Sequence, residues 1–176
     1  MGYALSSLGN LPVQDSISLY IFVVGTGWKG DPAYEAIEQN FMELAQRIGP
    51  TAVIAKGFEP EMWSDQVCKR YLGKGVETMY DVFPALLLTD AHPEQLAEAS
   101  LRLLVPLRKA EERFGGVPAF FDALIDFAKT RNPVFLTRFE EKPSLSARAW
   151  SVLELKPNFF GFGVNLKELV AQVRGN

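Results

Sequence analysis

The stretch "ISLYIFVVGTGWKGDP", Ile17 to Pro32, decides how the rest of the chain is interpreted. Its first half, residues 17–24, is a nearly continuous run of β-branched and aromatic residues, which is typical of a strand buried on both faces. Its second half is rich in glycine and ends in Asp31 and Pro32, which suit the N-cap and the first position of a helix. The stretch therefore predicts a central strand, a tight loop and a helix.

The remainder of the chain alternates between strand and helix patterns. After the first helix, the pattern predicts a strand at residues 51–58 and then a helix with an apolar stripe of Met62, Trp63, Val67, Tyr71 and Leu72. A strand at residues 85–89, a helical turn at 92–99 and an edge strand through Pro106 are predicted next. The rest of the chain is predicted to form helices between 107 and 140, a strand at 149–155 and a helix after Asn165. This order predicts a single α/β domain over residues 1–176. Its expected architecture is a three-layer sandwich with a core at about 17–130 and a C-terminal extension at about 131–176.

Composition and charge exclude several classes of function. The 18 Lys and Arg residues against 21 Asp and Glu residues give a net charge of −3, so no nucleic-acid partner is predicted. Cys68 is the single cysteine and His92 the single histidine, which excludes an internal disulfide, CxxC motifs and His-cluster metal sites. No secretory signal or membrane-spanning run is visible, so the sequence predicts a cytoplasmic protein with no membrane partner.

The loop glycines Gly25, Gly27 and Gly30 spell GxGxxG, the spacing of a dinucleotide-binding loop. In that motif the third glycine lies inside the helix, and the helix N-terminus binds the pyrophosphate. Here the expected N-cap, Asp31, follows the third glycine and places a carboxylate where the phosphate would sit. The glycines and Asp31 are therefore interpreted as a structural loop, and no cofactor and no metal site are predicted.

The predicted order β-α-β-α-β-β-α, from residue 17 to about 130, resembles that of the thioredoxin-like fold, and Phe83-Pro84 stands where that fold carries its cis-proline. The resemblance implies that the glycine loop takes the place of the family's CxxC motif, so disulfide exchange at this position is lost. It also implies that Phe83 and Pro84 lie beside Trp28 and Lys29 and form a binding surface with them. An open sheet of the flavodoxin type is the competing topology.

Two further groups of residues are candidates for catalysis. Asp90, His92 and Glu94 follow a predicted strand, where catalytic groups of α/β enzymes are common, but they also suit an ordinary turn and helix start. Cys68 lies among apolar residues at helical spacing, which favours a buried, inert thiol over a nucleophile. The resemblance places Asp90 and His92 at the opposite end of their strand from Phe83. No catalytic residue is assigned.

The segment "PNFFGFGVN", residues 157–165, carries Phe159, Phe160 and Phe162 and is expected to pack on the domain or to dock on a partner. Together these features predict a non-catalytic, redox-inactive domain that acts by binding a protein partner or by assembling into a homo-oligomer. The second interpretation is an enzyme or sensor that binds a small molecule or nucleotide at the glycine loop. The third is a thiol-dependent enzyme that uses its single cysteine.

Overall fold

The computed structural model describes residues 1–27 and 31–139. Its strands are β1 (Gly2–Leu5), β2 (Leu19–Val24), β3 (Ala52–Gly57), β4 (Ala85–Thr89) and β5 (Arg102–Pro106). They form one open sheet in the order β1-β3-β2-β4-β5. β1, β3 and β2 run parallel to one another, whereas β4 is antiparallel to both β2 and β5. The sheet is therefore mixed, and β2, in which every residue is buried, is its middle strand.

The helices occupy the connections between strands and the region after β5. They are α1 (Pro32–Arg47), α2 (Pro60–Leu72), α3 (Leu107–Phe114), α4 (Val117–Thr130) and α5 (Val134–Thr137), with short 3-10 helices at Leu8–Asn10, Val76–Thr78, Tyr80–Val82 and Pro93–Gln95. Pro32 and Pro60 occupy the first positions of α1 and α2, where the missing N–H costs no hydrogen bond. Gly73 and Gly115 end α2 and α3 in the left-handed conformation that glycine adopts readily.

The sheet buries an apolar core on each face, because the side chains of β2 alternate between the two. Ile21 and Val23 belong to the core that is covered by α1, α3, α4 and α5. Tyr20, Phe22 and Val24 belong to the core that is covered by α2. The α/β class predicted from the sequence is therefore confirmed, with helices packed on both faces of the sheet.

The sequence pattern does not predict β1. This strand has only four residues, two of them Gly2 and Ala4, and it lacks the β-branched pattern that marks the other strands. It forms because its backbone pairs with β3, with Gly2 opposite Ile54. Leu8 and Leu11, which follow β1, are buried, and so are Phe135 and Phe139 near the other end of the described chain. The core thus extends beyond the expected range of about 17–130 at both ends.

Most other predicted elements occur close to their expected positions. The strands after Thr51 and Phe83, and the helices between 107 and 139, match the pattern. The Phe83-Pro84 peptide bond is cis, as the resemblance implied. The strand predicted at 149–155 and the helix predicted after Asn165 lie outside the described residues. In the part of the chain that the structure describes, no helix has the length and apolar character needed to cross a membrane.

Candidate functional site

The glycine loop begins at Gly25, directly after β2, and α2 holds this end of the strand in place. The indole Nε1 of Trp63 donates to the Val23 carbonyl at 2.9 Å. The Ser64 hydroxyl accepts a hydrogen bond from the Gly25 N–H at 2.7 Å and donates to the Gly25 carbonyl at 2.8 Å. Both α2 side chains are buried, so these bonds satisfy backbone groups that lie away from water. The loop therefore leaves the sheet from a fixed position.

The two described glycines of the loop, Gly25 and Gly27, differ in the space around them. A Cβ atom on Gly25 would lie 3.5 Å from the Tyr34 ring and 3.6 Å from Pro84, which are ordinary contact distances. Gly27 has a φ of +69°, and a Cβ atom there would lie 2.9 Å from Cγ of Pro60. Position 27 thus favours glycine for both its backbone conformation and its lack of space. This geometry supports a structural role for Gly27, whereas position 25 has room for a small side chain.

Asp31 is the N-cap of α1, as predicted. Its Oδ1 accepts hydrogen bonds from the backbone N–H groups of Ala33 at 2.9 Å and Tyr34 at 3.3 Å. Its Oδ2 lies 2.7 Å from Nη2 of Arg108 in α3. Burial by itself would raise the pKa of the Asp31 carboxyl, but the hydrogen bonds from Arg108 and the two N–H groups outweigh it and hold the pKa below its ordinary value. A phosphate at this helix N-terminus would meet the chain's own carboxylate.

A small cleft lies between the glycine loop and the segment that precedes β4. Its lining residues are Thr26, Gly27, Asp31, Tyr34, Tyr80, Phe83 and Pro84. The fold thus brings the loop next to the Phe83-Pro84 pair. The described residues enclose a volume of about 20 Å³, which holds about one water molecule. Typical small-molecule sites are far larger, at roughly 300 to 1,000 Å³.

Tyr34 forms part of the cleft wall, and its hydroxyl lies near the carboxylate of Glu38. Glu38, one turn further along α1, forms an ion pair with Lys56 of β3. Burial, together with the neighbouring charge of Glu38, raises the pKa of the Tyr34 hydroxyl to about 12. Tyr34 is therefore a neutral, protonated side chain at physiological pH and not a general base for the cleft.

Three apolar side chains are exposed near this end of the sheet: Phe58 at 69%, Met62 at 49% and Tyr80 at 41%. Phe58 directly follows β3, and Met62 lies in the first turn of α2. The Tyr80 hydroxyl donates to Oε1 of Glu61 at 3.0 Å, which holds the tyrosine beside that turn. We call Phe58, Met62 and Tyr80 the apical surface. Phe83, which was expected at the binding surface, is only 8% exposed and forms part of the core beneath it.

The sequence pattern does not predict the apical surface. Helical periodicity puts Met62 in the core-facing stripe of α2, and this prediction is wrong because Met62 is exposed. Met62 and Trp63 are consecutive, and consecutive helical residues point about 100° apart, so only one of them faces the core fully. The buried indole takes that position. Phe58 lies between a strand end and Pro60, where periodicity predicts neither burial nor exposure.

Asp90 and His92 lie beyond the other end of β4, away from the cleft. His92 is buried, its Nδ1 accepts a hydrogen bond from the Glu94 N–H at 3.2 Å, and its Nε2 lies 3.1 Å from the Leu11 carbonyl. These partners fit the neutral tautomer with its proton on Nε2. Oδ1 of Asp90 accepts a hydrogen bond from the Leu101 N–H at 2.8 Å. The contacts are those of a turn and a helix start.

Cys68 is fully buried in α2. Burial, followed by the charge of Asp65, raises the pKa of the Cys68 thiol to about 12. The adjacent Lys69 binds Asp65 at 2.7 Å and does not stabilise a thiolate at position 68. The cysteine therefore lacks the exposure and the thiolate character of a reactive residue.

Several predicted site residues lie outside the described part of the chain, namely Trp28, Lys29, Gly30, Phe159, Phe160 and Phe162. Their roles stay predictions. Across residues 1–27 and 31–139, no group of three or more His, Cys, Asp or Glu side chains is arranged to hold a metal ion.

The chain was also compared with known proteins. No protein-family model, no curated protein and no solved structure matched it.

Proposed function

We propose that this chain is a thioredoxin-like domain that acts by binding a protein partner, or a second copy of itself, without catalysing a reaction. The element order supports this reading: from β2 to α3 the chain runs β-α-β-α-β-β-α. The antiparallel β4 and β5 weigh against the flavodoxin type, whose sheet is mostly parallel.

The absence of a redox motif supports the non-catalytic part of the proposal. In a thioredoxin-like domain, the loop after β2 would carry the CxxC motif, and here it reads "GTGWKGDP". The chain's single thiol, Cys68, is buried, and its pKa is raised to about 12. Disulfide exchange needs an accessible thiolate, which neither the loop nor Cys68 supplies.

The observation that carries the binding function is the apical surface. Phe58, Met62 and Tyr80 are exposed at one end of the sheet, beside a loop that carries Trp28 and Lys29 in the sequence. Exposed apolar side chains that gather at one site mark surfaces for interaction more often than isolated ones do. Aromatic residues and methionine are also enriched in the centres of protein interfaces.

The competing interpretation is a small-molecule or nucleotide site at the glycine loop. The N-terminus of α1, which would bind a phosphate, is capped by Asp31, and the second oxygen of that carboxylate is bound by Arg108. The cleft beside it holds about one water molecule. These contacts favour the protein-binding function.

Affinity capture with matched surface variants tests the proposal. The tagged full chain is compared with Phe58→Ser and Tyr80→Ser, and with the controls Met42→Ser and Val134→Ser. The control residues are also apolar and exposed, at 66% and 58%, but lie on α1 and α5. We expect proteins that are recovered by the wild type and both controls to be lost with both apical variants. Equal recovery with every variant would refute the apical surface as the docking site.

Two measurements distinguish self-assembly and nucleotide binding from the binding of a different protein. Size-exclusion chromatography with light scattering reports self-assembly, and a dimer that is lost in Tyr80→Ser would identify a second copy as the partner. A thermal-shift series with nucleotides tests the alternative, because a ligand at about 100 times its dissociation constant adds about 2.7 kcal/mol and raises the midpoint by roughly 5 to 10 °C. A shift of that size would favour the nucleotide site.

A further inference from the structure

Carboxylates border the apical surface. All four of these carboxylates are exposed. Two of them, Glu59 and Glu61, flank Pro60 at the start of α2, and two, Glu77 and Asp81, lie in the 3-10 helices before β4. We call these four residues the acidic rim. The hydrogen bond with Glu61, followed by burial and by the charges of Glu61 and Glu77, raises the pKa of the Tyr80 hydroxyl. Two carboxylates of the rim therefore act electrostatically on Tyr80.

The acidic rim is not neutralised by ion pairs within the described residues. The ion pairs found there use Glu43, Asp122, Glu38, Asp65 and Asp31 as their carboxylates. Glu77 contributes to the raised pKa of Lys69. The main cause of that raised pKa, however, is the hydrogen bond from the Lys69 ammonium to Asp65, at 2.7 Å. Among residues 1–27 and 31–139, the four carboxylates of the rim have no ion-pair partner, and each is next to or near a residue of the apical surface in the sequence.

We propose that the partner of the apical surface is a basic protein segment, with an apolar anchor that contacts Phe58, Met62 and Tyr80 and with Lys or Arg residues that contact the acidic rim. This inference rests on the proposed function and adds the chemistry of the partner. Like charges that approach across an interface cost free energy, whereas opposite charges speed association and fix its orientation. Lys and Arg side chains also supply the hydrogen-bond donors that carboxylates require.

Other occupants fit the same surface less well. An acidic protein segment would bring like charges together, and a nucleic acid would place its phosphates against the rim. A neutral apolar segment would bury the anchors but would leave the carboxylates to be partly desolvated without compensation. The basic segment is the occupant that satisfies both the apolar and the charged parts of the surface.

The proposal is tested with two synthetic peptides of about twelve residues, a length that spans an interface of modest size. Both carry Phe and Leu at the same positions; one has Lys and Arg elsewhere, and the other has Glu and Asp. Each is titrated into the isotope-labelled full chain, and amide chemical shifts are recorded. We expect the basic peptide to shift the amides of Phe58, Met62 and Tyr80 and to bind about tenfold more weakly when salt is raised from about 50 to about 300 mM.

A matched pair of triple variants isolates the rim. The rim variant, Glu59→Gln with Glu77→Gln and Asp81→Asn, leaves Glu61 and its bond to Tyr80 intact. The control variant is Glu98→Gln with Glu112→Gln and Asp126→Asn, at exposed carboxylates on other parts of the surface. Both triples remove three negative charges from a chain of net charge −3, so they differ only in location. We expect the rim variant to weaken binding about fivefold or more and the control to leave it within about twofold.

The outcomes separate this inference from the proposed function. The basic partner is refuted if the basic peptide does not bind, if the acidic peptide binds equally well, or if the two triple variants weaken binding to the same extent. Lysate capture that depends on Phe58 and Tyr80, combined with no binding of the basic peptide, would retain the apical surface and refute only the charge of its partner. Capture unaffected by Phe58→Ser and Tyr80→Ser would refute the proposed function itself.

Discussion

Oδ2 of Asp31 lies 2.7 Å from Nη2 of Arg108, and this contact joins the N-terminus of α1 to α3. The two side chains are unequal partners, because that of Asp31 is 9% exposed and that of Arg108 is 69% exposed. Most of the stabilisation by Asp31 should therefore come from its cap of α1, since ion pairs with an exposed partner contribute little. The same contact makes the start of α1 a poor anion site.

Two replacements of Asp31 should distinguish the stability that comes from its N-cap hydrogen bonds from the stability that comes from its ion pair with Arg108. We expect Asp31→Ala to lower the free energy of unfolding by about 1 to 2 kcal/mol at pH 7, because two backbone N–H groups lose their acceptor. Asp31→Asn keeps an acceptor oxygen and loses only the charge, so its cost should stay below about 1 kcal/mol. Urea unfolding of the two variants measures the difference, and equal costs would show that the ion pair dominates.

The contribution of Asp31 should also depend on pH. Its folded-state pKa is lowered, so the carboxylate stabilises the fold above its ordinary pKa of about 3.9, and this stabilisation is lost as the pH falls through the lower folded-state pKa. The deficit of Asp31→Ala relative to the wild type should be constant from about pH 5 to 8 and shrink in more acidic solution. A deficit that grows on acidification would contradict this assignment.

Gly27 and Gly115 offer a matched comparison of glycine positions. Both have positive φ, +69° and +78°, but a Cβ atom would meet Pro60 at 2.9 Å in the first case and nothing within 4 Å in the second. We expect Gly115→Ala to cost about 1 kcal/mol for its backbone conformation, and Gly27→Ala to cost about 1 kcal/mol more because Pro60 must move. Denaturant unfolding measures both, and an equal loss would show that the loop relaxes freely.

Cys68 should react slowly with a thiol reagent such as a disulfide dye. Its pKa of about 12 leaves on the order of one thiolate in ten thousand at pH 8, and the side chain is fully buried. We expect modification of the native protein to proceed only through opening of the fold, and to become rapid in denaturant. Cys68→Ala provides the blank. Stoichiometric labelling within seconds under native conditions would instead indicate an accessible thiolate.

His92 should contribute to stability. Its ring packs edge-on against Tyr20 with centroids 5.8 Å apart, and its two nitrogens contact the Leu11 carbonyl and the Glu94 N–H. We expect His92→Ala to cost about 2 to 4 kcal/mol, because it opens a cavity and leaves buried backbone groups unpaired. Asp90→Asn, which keeps the oxygen that Leu101 binds, should cost less than about 0.5 kcal/mol. Similar losses for the two variants would contradict these roles.

The positions of the main elements follow from local features of the sequence. The buried run of β2, the Asp31-Pro32 helix start and the Gly73 and Gly115 stops all depend on residues that are close in the chain, so a single sequence carries their signals. The cap geometry of Asp31 and the burial of Cys68 were predictable for the same reason. Each depends on spacing along one helix.

Tertiary structure decided the features that depend on residues far apart in the chain. β1 exists because its backbone pairs with β3, about fifty residues away, and four residues with two small side chains carry no pattern of their own. The apical surface combines residues from the end of β3, from the first turn of α2 and from the 3-10 helix that contains Tyr80. The hydrogen bond from Tyr80 to Glu61 holds the last of these against α2. Local sequence determines which segments become helix or strand, because propensity and periodicity act over a few residues. Which side chains remain exposed together is determined only when those segments pack.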